Sequence, residues 1–181
     1  MGALTAPALR PEFSRPERVD TISGRERVVE LEARPAEREA LARRFGLLAV
    51  ESLGASFAVA REHGALTARG RVTARVVQAC SITDEPVAST VDERADLLFV
   101  PAGPAGEAEV ELSADALDTI IYEGREIDLG EAAAETMALA LDPFPRAPGA
   151  DRALREAGVL TEEEARPLGK LAGLRDKLEG R

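Results

Sequence analysis

Few side chains in this sequence could carry out covalent chemistry. The 181 residues include one cysteine, Cys80, and one histidine, His63. Nucleophilic catalysis needs a base within hydrogen-bonding reach of the nucleophile, and a zinc site needs several Cys or His ligands at short spacing. His63 stands beside Gly64 between two strand patterns, and Cys80 lies on the inward face of a predicted strand, where a free cysteine is more often a small buried hydrophobic residue. We therefore expect no catalytic pair, no metal and no cofactor, and a binding protein rather than an enzyme.

Carboxylates are the abundant charged groups, and they are unevenly spread. Residues 92–142 hold 14 Asp and Glu against 2 Arg, a net charge of −12, whereas the whole chain has 23 − 33 = −10 and the remainder therefore +2. An acidic field favours a cationic partner and repels phosphates, although a solvated face kept for solubility is the simpler interpretation. An alternative hypothesis is a magnesium-dependent enzyme that acts on RNA through residues 92–142, with Asp128 and Glu131 holding the metal.

The elements that must position these groups are predicted from periodicity. Alternating apolar residues predict strands in PERVDTI, RERVVELEA, GASFAVAR, TARGRVTARVVQAC and VASTVDERADLLFVP, and the two middle stretches read as a hairpin. Pro35 and Gly46 delimit a helix over 35–45, whose cap, Arg34, is a poor one. Asp128 and Glu131 form a capping-box pattern that starts a second helix over 128–141.

These elements predict an α+β protein. We expect a curved antiparallel sheet or a partly closed β-barrel, two packed helices and a C-terminal helical appendage. Residues 1–10 are expected to be a disordered tail, 11–150 a single domain, and 151–181 a helical extension that begins its helix near Thr161. One cysteine, no spanning apolar run and no secretory signal pattern favour the cytoplasm and no membrane association.

The second helix and the proline-rich strip after it are the predicted interaction surface. Leu129, Ala133, Met137 and Leu141 form one apolar stripe, so Glu131, Glu135 and Asp142 are expected to face solvent. Three prolines in six residues hold the following strip extended, and a preformed strip loses little entropy on binding. The simpler interpretation is a helix stop with Phe144 folded back onto the core. The predicted interaction residues are Glu131, Glu135, Asp142, Pro143, Phe144, Pro145 and Arg146.

Arg69, Arg71 and Arg75 alternate with apolar residues on one predicted strand and share its outer face. Arginines in such a row are candidate contacts for RNA phosphates, and a solvated strand face is an equally good interpretation.

Four segments together resemble the YceD family, the large ribosomal RNA subunit accumulation proteins, and in particular its alphaproteobacterial branch. They are PEFSRPERVDTI, RPAEREALARRFGLLAVESLGASF, VVQACSITDEPVASTVDERADLLFVP and IDLGEAAAETMALALDPFPRAPGAD. The resemblance implies a ribosome-assembly factor that acts with a basic ribosomal protein, a pre-ribosomal particle or ribosomal RNA. Its motifs map onto Cys80, Glu85, Pro86, Asp96, Phe99, Asp128, Leu129, Glu135, Asp142, Pro143 and Pro145.

The chain departs from this family at one place. Many members carry paired cysteines after the proline strip, and here that stretch reads APGADRALREAG. Because no cysteine follows Cys80, we expect no zinc site in this protein.

Overall fold

A computed structural model describes residues 11–62, 64–102 and 118–159. The expectations for the tail 1–10, for His63 and for the helix after Thr161 lie outside these residues. In chain order the elements are β1 (Pro16–Arg18), a 3-10 turn (Val19–Thr21), β2 (Arg27–Glu32), α1 (Pro35–Phe45), β3 (Ala49–Glu62), β4 (Ala65–Ala79), β5 (Pro86–Pro101), β6 (Asp118–Tyr122), β7 (Glu126–Asp128), α2 (Leu129–Leu139) and α3 (Ala150–Glu156).

The strands form two sheets. Five strands lie in the order β2-β3-β4-β5-β6, and β1 pairs with β7 in a separate antiparallel ribbon. β2 and β4 flank β3 in antiparallel register, whereas β6 runs parallel to β5, so the larger sheet is mixed. The predicted α+β class is confirmed, and the sheet is not closed into a barrel.

A β-bulge in β3 changes which residues face the core. The register with β4 shifts between Val50 and Ser52, which leaves Glu51 as the extra residue. Val50 is therefore buried on an even position, and Leu53, Ala55, Phe57 and Val59 are buried on odd positions. This switch explains why the alternation in the sequence marks only the second half of a strand that is 14 residues long.

The main core lies between the sheet and the helices α1 and α2, which both contact β3. Its largest fully buried side chains are Phe13, Phe57, Phe99, Leu41, Leu53, Leu66, Ile127, Leu129, Met137, Val59, Val72 and Val76. The predicted stripe of α2 is confirmed, since Leu129, Ala133 and Met137 are completely buried and Leu141 packs against this cluster.

Gly70 lies at a close approach of β3 and β4. It pairs with Phe57, and a Cβ atom at Gly70 would lie 2.8 Å from the carbonyl carbon of Ser56 and 3.0 Å from the Cα of Phe57. The strand pair thus depends on the absence of a side chain at this position.

The first turn of α1 is held despite its poor cap. The Glu37 carboxylate accepts a hydrogen bond from the Arg34 backbone N–H at 2.7 Å and two from the Arg15 guanidinium at 2.8 Å. The helix ends as predicted at Gly46, whose φ of 66° is the left-handed conformation that glycine adopts easily.

The described residues divide into two compact units. The larger comprises residues 11–78 and 88–143 and contains the core above. The smaller comprises residues 79–87 and 144–159, where Cys80, Ala147 and Ala150 form a small buried cluster with Val87 packed against it. No helix within the described residues is long and apolar enough to cross a membrane.

Candidate interaction surface

Asp128 fixes the start of α2 and joins it to the N-terminal segment. Its carboxylate accepts hydrogen bonds from the N–H groups of Gly130 at 3.0 Å and Glu131 at 3.1 Å, which confirms the predicted cap. It also accepts from the Ser14 hydroxyl at 2.5 Å and the Arg15 N–H at 2.7 Å. The two segments touch so closely that a Cβ at Gly130 would lie 2.9 Å from the Arg15 nitrogen. Asp128 therefore holds the N-terminal segment against the start of α2. We call Asp128 and these four hydrogen bonds the N-terminal clamp.

The expectation that Glu131 faces solvent is wrong. Arg44 of α1 donates to both of its carboxylate oxygens, at 2.6 and 2.9 Å, and the Glu131 side chain is only 21% exposed. Arg44 also binds Glu12 at 3.0 Å, and its hydrogen bond to Glu131 is the main reason that the pKa of its guanidinium is raised. The ion pair between Glu131 and Arg44 thus joins α1 to α2. Sequence spacing could not reveal it, because the partners are 87 residues apart.

Glu135 and Leu139 remain exposed on α2, one helical turn apart. We call this pair, with the exposed Asp142 after it, the α2 surface. Partial burial raises the pKa of the Glu135 carboxyl, and repulsion from Glu131 raises it further. The Leu139 side chain is 87% exposed, and it was not among the predicted interaction residues. Because Leu139 lies outside the predicted apolar stripe of α2, its exposure could have been predicted from the sequence.

The proline strip is anchored at both ends. The carbonyl of Asp142 accepts a hydrogen bond from the buried Gln78 side chain at 2.9 Å. In the smaller unit, the Pro145 carbonyl accepts from the Ser81 N–H at 2.8 Å and from the Ser81 hydroxyl at 3.2 Å. Phe144 is 71% exposed, so the alternative in which it folds back onto the core is wrong.

The residues of the strip differ in exposure. Pro143 is exposed and Pro145 is buried. Arg146 is exposed and forms an ion pair with Asp151 of α3 at 3.4 Å. The strip therefore presents Pro143 and Phe144 to solvent, with its one basic side chain already paired.

Cys80 is buried, as predicted. Its sulfur accepts hydrogen bonds from the backbone N–H groups of Ala147 at 3.2 Å and Ile82 at 3.5 Å. The Ala147 bond is the main cause that lowers the pKa of the thiol to about 7; the Thr83 hydroxyl adds to it, and desolvation opposes it. The thiol is buried but its pKa is lower than that of an ordinary cysteine, which could not be predicted from the residues next to it in the sequence.

The lowered pKa of Cys80 predicts a pH-dependent stability. The thiol titrates near 7 when folded and near 9.0 when unfolded. Between these values the unfolded chain binds more protons, so the free energy of unfolding should rise with pH from 7 to 9 and lose this contribution below 7. Cys80→Ala should be less stable by about 1 kcal/mol at pH 7 and should lack the extra rise. Urea denaturation of both proteins at pH 6, 7, 8 and 9 measures the difference, and parallel pH profiles would contradict the assignment.

Two of the three arginines proposed as RNA contacts are paired. Arg69 donates to both oxygens of Glu62 at 2.7 and 2.9 Å, and Arg71 forms an ion pair with Asp92. Arg75 is exposed and makes no ion pair within the described residues. The row is thus a largely neutralised sheet face.

The remaining family-motif positions support the fold. Phe99 and Leu129 are buried in the core, and Asp96 forms an ion pair with Arg94 at 2.7 Å. The Glu85 carbonyl accepts the Cys80 N–H at 2.8 Å, which closes the turn before Pro86, the first residue of β5.

The carboxylates proposed to hold magnesium do not form an open pair. Asp128 is occupied by four donors and Glu131 by Arg44. Within the part of the chain that the structure describes, no group of three His, Cys, Asp or Glu side chains is placed to hold a metal ion.

The class of protein is thus a small α+β protein whose polar motif residues support the fold and whose second helix, mostly buried, exposes Glu135 and Leu139 before a proline strip. The comparison with family models gives the family. Residues 68–175 match the family described as large ribosomal RNA subunit accumulation protein YceD, and the chain belongs to this family. No curated protein and no solved structure matches it. The family is named for the accumulation of large-subunit ribosomal RNA.

Proposed function

We propose that the protein is a non-enzymatic factor in the biogenesis of the large ribosomal subunit and acts in the cytoplasm. It would support the accumulation or processing of large-subunit ribosomal RNA by binding a basic ribosomal protein or a pre-ribosomal particle. Family membership supports the ribosomal role. The observation that carries the binding role is the α2 surface, where an exposed Leu139 lies one turn after Glu135.

The chemistry of the α2 surface favours a cationic partner. Glu131 is neutralised by Arg44, whereas Glu135 makes no ion pair within the described residues, and the pKa of its carboxyl is raised by partial burial and by Glu131. A partner's Lys or Arg beside Glu135 would relieve that repulsion, and Leu139 would contribute apolar contact. A protein segment with basic and apolar side chains matches both features, whereas RNA phosphates match neither.

RNA contact through the sheet face has less support. Arg69 and Arg71 already bind carboxylates, so Arg75 would supply the contact almost alone. The magnesium-dependent alternative has no open carboxylate pair at Asp128 and Glu131 to support it.

Reversing the charge of Glu135 tests the proposal. We expect Glu135→Lys to weaken binding of a basic large-subunit ribosomal protein by about tenfold at low salt, and the difference from wild type to shrink as salt rises. Glu131 is not a suitable site for this test because its replacement also breaks the Arg44 ion pair. Glu39→Lys is the matched control, since Glu39 is exposed on α1 and its replacement by Lys changes the net charge by the same amount.

Affinity purification of the tagged protein from cells supplies the candidate partners, and calorimetry or anisotropy measures each affinity. Equal binding by wild type, Glu135→Lys and Glu39→Lys across the salt series would contradict the role of the α2 surface. An equal loss of affinity in Glu135→Lys and Glu39→Lys would assign the effect to net charge alone and would also contradict the role of the α2 surface. Absence of ribosomal proteins and pre-ribosomal particles from the purification would contradict the proposed function as a whole.

A further inference from the structure

β6 forms one edge of the five-stranded sheet. It pairs with β5 in parallel register, Leu97 with Asp118 through Pro101 with Tyr122, and no other described strand pairs with it. The Tyr122 carbonyl accepts the Ala102 N–H at 2.8 Å, so the backbone of Tyr122 points toward β5. Because the N–H and C=O groups of successive strand residues point to alternate sides, those of Ile121 point to the outer edge.

The side chains of β6 alternate between the core and the solvent. Ile120 and Tyr122 pack against the core, whereas the Ile121 side chain is 70% exposed. An edge strand with an exposed β-branched side chain and outward backbone groups is a template for another extended chain. Lys, Pro or a bulge commonly protects such an edge, and none of the three occurs between Asp118 and Tyr122.

The charge at this edge selects among possible occupants. Asp118 and Glu123 lie at its two ends, are both exposed, and make no ion pair in the described part of the chain. Residues 118–124 contain these two carboxylates and no basic residue. An extended segment that carries Lys or Arg complements both ends, whereas an acidic segment or a nucleic acid is repelled.

We propose that the outer edge of β6 binds an extended, cationic segment of a partner protein, which adds to the sheet as a further strand beside Ile121. The main chain of the segment would pair with the outward N–H and C=O groups of Ile121, and its basic side chains would reach Asp118 and Glu123. This edge is separate from the α2 surface, so the inference does not depend on the proposed function.

Two variants at Ile121 test main-chain pairing, and a set of peptides tests both main-chain pairing and charge. Ile121→Pro removes the outward N–H and leaves the bonds to β5, because proline is tolerated on an edge strand where its nitrogen faces away from the neighbour. Ile121→Thr keeps the N–H and the β-branched shape and is the matched control. The probe is a fluorescent synthetic peptide of about ten residues that alternates Lys and Val, compared with a backbone N-methylated version and with one that has Glu in place of Lys.

Fluorescence anisotropy with the full chain gives the affinities. We expect wild type and Ile121→Thr to bind the Lys-Val peptide alike, and Ile121→Pro to bind it at least about tenfold more weakly. The N-methylated and Glu-containing peptides should not bind wild type. If Ile121→Pro does not fold, the difference in affinity between the peptide and its N-methylated version shows whether the main chain of the peptide pairs with the protein.

Four results would overturn the inference. Wild type could fail to bind the Lys-Val peptide, or N-methylation could leave the affinity unchanged. Slow amide exchange at Ile121 in the free protein would mean that the edge is already paired within the chain. A dimer that Ile121→Pro dissociates would identify a second copy as the occupant.

Discussion

Replacing Gly70 by alanine is expected to lower the free energy of unfolding by about 3 kcal/mol or more. The new Cβ would lie 2.8 Å from the Ser56 carbonyl carbon and 3.0 Å from the Phe57 Cα, and both are backbone atoms that cannot rotate away. β3 cannot retreat without cost, because it pairs with β2 on its other side and carries the completely buried Phe57.

Gly24→Ala is the matched control for this change. A Cβ at Gly24 would meet only the Arg61 carbonyl oxygen, at an ordinary contact distance of 3.7 Å, so its effect should stay within about 0.5 kcal/mol. Urea denaturation followed by circular dichroism measures both variants. Similar midpoints for Gly70→Ala and Gly24→Ala would contradict the close approach of β3 and β4.

Replacing Asp128 by alanine should cost about 3 kcal/mol, which exceeds the typical loss of a helix cap alone. The carboxylate accepts from two N–H groups of α2 and also from the Ser14 hydroxyl and the Arg15 N–H. All four donors would lose their partner together, and the N-terminal segment would lose its attachment to α2.

Asp128→Asn keeps one acceptor oxygen and should cost about half as much. Asp118→Ala, which removes an exposed carboxylate that makes no ion pair in the described residues, should leave stability nearly unchanged. Thermal and urea unfolding give the three values. An Asp128→Ala protein as stable as Asp118→Ala would show that the clamp does not hold in solution.

Local patterns predicted the elements that depend on neighbouring residues. The limits of α1 at Pro35 and Gly46, the cap at Asp128 and the strand pattern of β5 could be predicted, because the residues that cause each of them lie within a few positions of each other. The bulge at Glu51 was not readable, since it interrupts the alternation on which strand prediction depends. The parallel pairing of β6 was missed for another reason, namely that alternation specifies a face and not a strand direction.

The candidate site was harder to predict than the fold because its properties depend on distant partners. Glu131 looked like a solvent-facing acid until Arg44, from another helix, was placed beside it. Cys80 looked like an ordinary buried thiol, and its lowered pKa comes chiefly from the N–H of Ala147, which is 67 residues away. Glu135 and Leu139 remain exposed because no described element covers that side of α2.

The N-terminal clamp has a consequence for how the chain is made. Ser14 and Asp128 are 114 residues apart, and among the described strands β1 pairs with β7 alone. During vectorial synthesis Phe13, which is completely buried in the finished fold, leaves the ribosome long before Asp128 and Gly130, beside which its segment lies. Closing so long a loop is an intrinsically slow step. The first residues that the structure describes therefore reach their final place only after Asp128 has been synthesised, and until then the Phe13 side chain lacks part of its native surroundings.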